Sequence, residues 1–417
     1  MITETKLKNG VVLIGERVPH ARSISIGVWT GAGSVNESGS QSGIAHFIEH
    51  MMFKGTGTRT ALDIASEVDF YGGQLNAFTA KECTQYSIKC TDDKLEKSME
   101  ILGDIVNNPA LPADELEREK GVVLEEIAMV EDTPDDIVID ELVAAFFDGS
   151  PLGKPILGNA DAIKGYVRDD LYAFINRYYV DKNIVIAIAG NYDEQQFVDC
   201  AGRYFGSLRS GEAALRVPAP APSKKRVVTR EKSIEQMNIA LALPGYDNDS
   251  DRYVPRAILN NALGGSMSSR MFQSIREQRG LAYAVYSFSS SYVNTGFMAF
   301  YAATGNAQGR EVLRLMLEEL EKVKKEGLTD EEFQRNKNQL RASFIMGMES
   351  VSARMNGIGK ARVLRGKVRT EDEVLARIDA ATQDDVRAVL DELFDFDRLC
   401  AAFVGDVGKL GDVSSMW

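Results

Sequence analysis

"NIVIAIAGNYDEQQF" (residues 183–197) and "RLCAAFVGDVGKL" (398–410) carry one pattern twice, an apolar run closed by Gly-Asn or Gly-Asp. A short apolar run bounded by turn residues reads as a strand buried on both faces. The two copies lie about 215 residues apart, a spacing far longer than the 20–50 residues of a solenoid unit, so it implies a duplicated domain. The neighbourhoods agree. "ISIGVWTGAGS" (24–34) and "MNIALALPGYD" (237–247) are strands of like character at nearly the same offset, each followed by a turn and an amphipathic helix. Between these landmarks, helical periodicity over 93–108, 113–131, 161–178, 308–326 and 329–348 alternates with strand patterns. The expectation is an α+β fold: two homologous α/β-sandwich domains of about 200 residues, helices packed on sheets. "RSGEAALRVPAPAPSKKR" (209–226), with alternating proline, is the natural linker. It sets domains at 1–208 and 227–417.

With 44% apolar and 26% charged residues, the 417-residue chain can bury substantial cores. Forty-eight basic against 61 acidic residues leave a net charge of −13, which disfavours nucleic acid as a partner. Cys83, Cys90, Cys200 and Cys400 form no CxxC pair and read as free thiols of a reducing compartment. Strand-like alternation begins almost at the N-terminus, and no apolar run approaches membrane-spanning length, so a cytoplasmic protein with no membrane partner is expected.

Histidine occurs three times, and two of the three stand in "SGIAHFIEHMMFKGT" (42–56). After the turn "SGSQS" (38–42), which offers N-cap serines, Gly43 to Met52 has helical periodicity. Ile44, Phe47, Ile48 and Met51 share one face, and His46, Glu49 and His50 another. Imidazoles four apart on a helix can both reach one Zn²⁺. The order H-x-x-E-H defines the inverzincin metallopeptidases, in which the glutamate is general base and not ligand. A catalytic zinc needs a third protein ligand, and His20 has no supporting pattern, so a glutamate is expected. In the acidic helix "DELEREKGVVLEEIAMVEDTPDD" (114–136), Glu119 and Glu126 lie seven apart, two turns along one face. Glu126 is the candidate ligand and Glu119 a supporting residue that orients one. Taken alone, Glu126 reads better as a solvated acid on an acidic helix.

"HFIEHMMFKGT" closely resembles the zinc motif of the pitrilysin/insulinase superfamily, in particular its processing-peptidase branch, which holds the mitochondrial processing peptidase β-subunit and bacterial relatives. The likeness runs over nearly the whole chain. In that family a glutamate ligand follows the second histidine by about 76 residues, the position of Glu126, and another glutamate precedes it by seven, the position of Glu119. "GGQLNAFTAKECTQYS" (72–87) is similar to the family's exposed edge strand, on which Asn76 and Ala77 would hold the substrate backbone by strand addition. "GSPLGKPILGNADAIKGY" (149–166) matches a further block. "LGGSMSSRMFQSIREQRGLAYAVYSF" (263–288) matches the segment carrying an arginine and a tyrosine seven apart, here Arg276 and Tyr283. The resemblance implies one Zn²⁺ per chain on His46, His50 and Glu126, with Glu49 as base and Arg276 and Tyr283 lent by the second domain to bind substrate and steady the transition state. It implies a zinc endopeptidase enclosing peptides in a closed chamber, completed as a homodimer or a heterodimer with a related subunit. The alternative is a non-catalytic subunit of the same fold, like the core proteins of respiratory complexes. All three ligands precede residue 208, so the first half alone is expected to bind the metal.

Overall fold

In the computed structural model, which describes residues 2–417, the apolar part of 183–197, Ile184–Gly190, forms a strand in the interior of its sheet. The first half of the chain runs β1 (Ile2–Lys6), β2 (Val12–Arg17), β3 (Ser23–Thr30), α1 (Ile44–Met52), α2 (Ala61–Phe70), β4 (Gln74–Thr79), β5 (Thr84–Thr91), α3 (Leu95–Asn107), α4 (Ala113–Glu131), α5 (Pro134–Phe146), α6 (Ala160–Gly165), α7 (Arg168–Tyr178), β6 (Ile184–Gly190) and α8 (Glu194–Phe205). The second half runs β7 (Arg226–Glu231), β8 (Gln236–Gly245), α9 (Tyr253–Asn260), β9 (Ala282–Ser291), β10 (Gly296–Gly305), α10 (Gly309–Glu326), α11 (Asp330–Gly347), α12 (Val351–Arg365), α13 (Glu371–Ala380), α14 (Gln383–Leu393) and β11 (Cys400–Gly405).

The sheets have orders β1-β2-β6-β3-β5-β4 and β7-β11-β8-β10-β9. Laid side by side, β2, β6, β3, β5 and β4 correspond to β7, β11, β8, β10 and β9, down to the parallel pairs β2/β6 and β7/β11 within otherwise antiparallel sheets. β6 and β11 are buried along their whole length because each lies inside its sheet with helices on both faces. A strand so placed reads as a continuous apolar run and not as an alternation. The edge strand β4, by contrast, alternates between exposed and half-buried positions.

The compact units are not the two halves cut at the linker. One consists of residues 1–128, 154–217 and 346–370, the other of 129–153, 218–345 and 371–417. The boundary between Val217 and Pro218 falls inside the expected linker, but each half also donates a helix to the other's unit. In the first unit α12 packs across β2, β6 and β3; in the second, α5 packs across β7, β11 and β8. These are equivalent positions, so the exchange is reciprocal. The α12 contact is close. A Cβ at Gly359 would sit 2.3 Å from Trp29 Nε1, and one at Gly27 would sit 2.5 Å from Met355 Sδ. Gln85 Nε2 donates to Asn356 Oδ1 at 2.7 Å, Arg362 pairs with Glu4 at 2.8 Å, and Arg354 pairs with Glu16. In the second unit Phe146 and Phe147 of the α5 region pack their rings against Phe297 of β10 at 5.9 and 5.8 Å. Among the described residues no helix is long and apolar enough to cross a membrane, and all four cysteines are free and buried.

Candidate metal centre

Three segments of the first unit build the site. α1 supplies His46, Glu49 and His50, α4 supplies Glu119 and Glu126, and the edge strand β4 lies beside them. α1 buries Ile44, Ala45, Phe47, Ile48, Met51 and Met52 in the core, which leaves His46, Glu49 and His50 on its half-buried opposite face, as the periodicity predicts. Its start differs from expectation. No serine of 38–42 caps it; Gly43 takes the left-handed conformation (φ +89°), and the buried Glu37 reaches in to accept from Gly43 N at 2.8 Å and Ala45 N at 3.1 Å. Gly43 is required there twice over, by its φ and because a Cβ would lie 2.4 Å from the Leu157 carbonyl oxygen. Burial pushes the Glu37 carboxyl up to about 7, while the two backbone donors, Lys154 and Lys81 pull the other way.

His46 Nε2 faces one oxygen of Glu126 at 3.6 Å, and His50 Nε2 faces the other at 3.6 Å. Neither contact is a hydrogen bond, and that of His46 is not an ion pair. The distance is too long for the first, and burial, with His50 nearby, lowers the His46 pKa to about 4, so its imidazole is neutral. A neutral imidazole is the form that ligates a metal. One ligand atom from each of His46, His50 and Glu126 lies within 4.8 Å of the others, the one such group among the described residues. Ligands at 2.0–2.1 Å from a tetrahedral Zn²⁺ stand about 3.4 Å apart. The two 3.6 Å separations to Glu126 approach that value and the 4.8 Å limit on the triad is wider, so the three side chains fit that ion after a small inward movement. Glu125, the neighbouring acid, is exposed and points away, and His20 is exposed and outside the group.

Behind the ligands, Glu119 is 5% exposed and accepts from two directions. His50 Nδ1 lies 3.1 Å from one oxygen and Lys54 Nζ 2.6 Å from the other. Anchoring Nδ1 fixes the ring so that His50 Nε2 is turned toward Glu126. Glu49 does not share in this cluster. Its Oε2 accepts from Thr79 Oγ1 at 2.6 Å, and burial raises its carboxyl above the ordinary carboxylate range against the pull of that hydrogen bond. Lys54, Thr79 and Glu37 escaped the sequence reading. Lys54 stands two residues beyond the end of α1, so helical spacing could not place it on the face of His50.

A cleft of about 340 Å³ opens beside Glu49 and His50, with Asn76 and Ala77 of β4 on its wall and Phe53, Ile64 and Leu75 as apolar lining. Asn76 is exposed, and its Oδ1 accepts from the Ala77 N–H at 2.8 Å. Arg276 and Tyr283 belong to the second unit. There the Arg276 guanidinium lies 4.5 Å from the Tyr283 ring centre and 4.7 Å from that of Phe272, and it donates to the Tyr283 carbonyl at 2.9 Å. The phenol itself is 79% exposed at the sheet-edge strand β9.

Comparison with known proteins agrees with this chemistry. Residues 12–160 match the family described as Insulinase (Peptidase family M16), and residues 166–340 match the Peptidase M16 inactive domain. The half without histidine thus falls largely under the second description. An uncharacterized zinc protease of Bacillus subtilis is 38% identical over 401 residues, 96% of this chain and 98% of that one. One from Streptomyces coelicolor is 37% identical over 93% of this chain and 86% of its own. The fold recurs in the crystal structure of a protease from Helicobacter pylori, with a TM-score of 0.89, 24% identity and coverage of 97% and 99%. It recurs again in a peptidase M16 inactive domain structure from Pseudomonas fluorescens, with a TM-score of 0.91, 22% identity and coverage of 97% and 98%. The whole chain, both sheets and the helices they carry, belongs to peptidase family M16.

Proposed function

We propose that the chain is a zinc-dependent endopeptidase, and the observation that carries this is the convergence of His46, His50 and Glu126 with Glu49 beside them on the same helix face. When bound there, Zn²⁺ supplies a Lewis acid for the scissile carbonyl and lowers the pKa of its water. Glu49 takes the proton of the attacking water and delivers it to the leaving amine; a carboxyl raised by burial is suited to both halves of that transfer. The exposed edge of β4 offers backbone groups on which a peptide can lie as an added strand, and the cleft lined by Phe53, Ile64 and Leu75 accepts an apolar side chain next to the cleaved bond. Arg276 and Tyr283 are proposed to hold the substrate carbonyls from the second unit, and a second chain, identical or related, to complete the enclosure. A cytoplasmic location suits four unpaired buried cysteines.

The test is metal analysis together with cleavage of a mixed peptide library. One zinc per chain and chelator-sensitive cleavage are expected. Glu49→Gln should keep the zinc and lose cleavage, because it removes a proton acceptor and no ligand. A zinc-loaded wild-type chain that cleaves nothing would overturn the endopeptidase reading in favour of a non-catalytic partner subunit.

A further inference from the structure

Glu49 takes its side-chain hydrogen bond from an element other than α1 and α4. Its neighbours on α1 fix where its Cβ stands, but a glutamate has three rotatable bonds, and a general base must present one oxygen to a water in a narrow range of positions. The contacts that remove this freedom come from Thr79: its hydroxyl donates to Oε2 at 2.6 Å, and its backbone also hydrogen-bonds the carboxylate. The first is a short hydrogen bond to an ionisable oxygen. It engages Oε2, and among the described residues no side-chain hydrogen bond reaches Oε1.

Thr79 is itself held from several sides. It is the last residue of β4, paired across the hairpin with Thr84, whose own hydroxyl donates to the Ala32 carbonyl at 3.0 Å. The turn that follows is closed by Ala80 N donating to Cys83 O at 2.8 Å, and it is tied to the β3 end by Ser34 N to Ala80 O at 3.2 Å and Val35 N to Lys81 O at 2.9 Å. A Cβ at Gly33 would stand 2.2 Å from the Ala80 oxygen, so the approach tolerates nothing larger there. The strand that would receive the peptide thus ends in the side chain that aims the base.

We propose that Thr79 is a positioning residue for Glu49, selecting the carboxylate rotamer in which Oε1 faces the substrate water and coupling that rotamer to the edge strand β4. The proposal rests on the reading of Glu49 as general base. It separates a donor from mere bulk: Thr79→Val keeps the shape and loses the hydroxyl, whereas Thr79→Ser keeps the hydroxyl. With zinc at one per chain in both variants, Thr79→Val should lower kcat about 10- to 100-fold, the range set by one hydrogen bond to a charged group, with KM within twofold. Thr79→Ser should restore most of the rate. Crystal structures of the two zinc-loaded variants supply a readout independent of turnover: the Glu49 carboxylate should keep its place in Thr79→Ser and leave it in Thr79→Val. Equal kcat in wild type and Thr79→Val, equal losses in both variants, or an unmoved Glu49 carboxylate in Thr79→Val would each overturn the inference. If the wild-type chain cleaves no peptide, the endopeptidase reading fails by itself, and the carboxylate positions in the two variants still decide whether Thr79 orients Glu49.

Discussion

Cutting the chain after Val217 removes no metal ligand, yet the reciprocal helix exchange predicts that the resulting fragment 1–217 does not hold zinc. The first unit would lose α12, which buries Val351, Met355, Ile358, Ala361 and Leu364 against the sheet face that carries Trp29 and Gly27. Four of those side chains are large, and burying each is worth about 1.5–3 kcal/mol, or about 6–12 kcal/mol together. That is as much as the whole net stability of an ordinary domain, about 5–15 kcal/mol. The fragment would also strand α5, whose Ile137, Val138, Leu142 and Phe146 are buried in the second unit of the intact chain. The assay is urea unfolding by circular dichroism together with zinc titration, on the fragment alone and with a synthetic peptide of residues 346–370 added. The expected result is no cooperative transition and no stoichiometric zinc alone, with both recovered on adding the peptide. A fragment 1–217 that unfolds cooperatively and binds one zinc without the peptide would refute the reasoning and restore the simpler expectation drawn from the ligands' positions.

Glu119→Gln should weaken zinc binding about 10- to 100-fold in competition with a chromophoric chelator, since it breaks the hydrogen bond that orients His50 while leaving every ligand in place. Glu37→Gln tests a pH dependence. Between the ordinary value of 4.5 and about 7 the folded chain holds a proton that the unfolded chain has released, so wild-type stability relative to Glu37→Gln should fall as pH rises through that window, by up to about 3 kcal/mol in metal-free protein. A relative stability that rises instead would mean that the backbone donors of α1 hold Glu37 ionised. Tyr283→Phe should lower kcat about 10- to 1,000-fold with KM little changed if the exposed phenol meets the developing oxyanion, and steady-state kinetics on one defined peptide decides it.

The strands were legible where burial is two-sided, because a run such as 184–190 has no other soluble explanation, and the long helices were legible where a wide apolar stripe repeats. α12 was not: Val351, Met355, Ile358 and Leu364 recur at helical spacing, but Gly357 and Gly359 in its interior argue against a helix by propensity. Close approach to Trp29 is what requires the glycine at 359. The exchange of α5 and α12 could not be read either, since the partner of a buried face is a three-dimensional fact. At the site, the ligand histidines declared themselves by scarcity and register. Glu126 needed the family spacing, as one acid among many on α4. Glu37 was hidden because a carboxylate six residues upstream does the work usually given to an adjacent serine, and Thr79 because a strand-end threonine is ordinary until its hydroxyl is seen on Glu49.

The traded helices also order events in time. A chain made from its N-terminus presents His46, His50 and Glu126 early, but the sheet behind them stays bare until residues 346–370 have been synthesised. By then only the last stretch of the second unit, 371–417, remains to be made. The ligands of the first unit are therefore backed by a finished sheet only near the end of synthesis, when 371–417 alone is still to come.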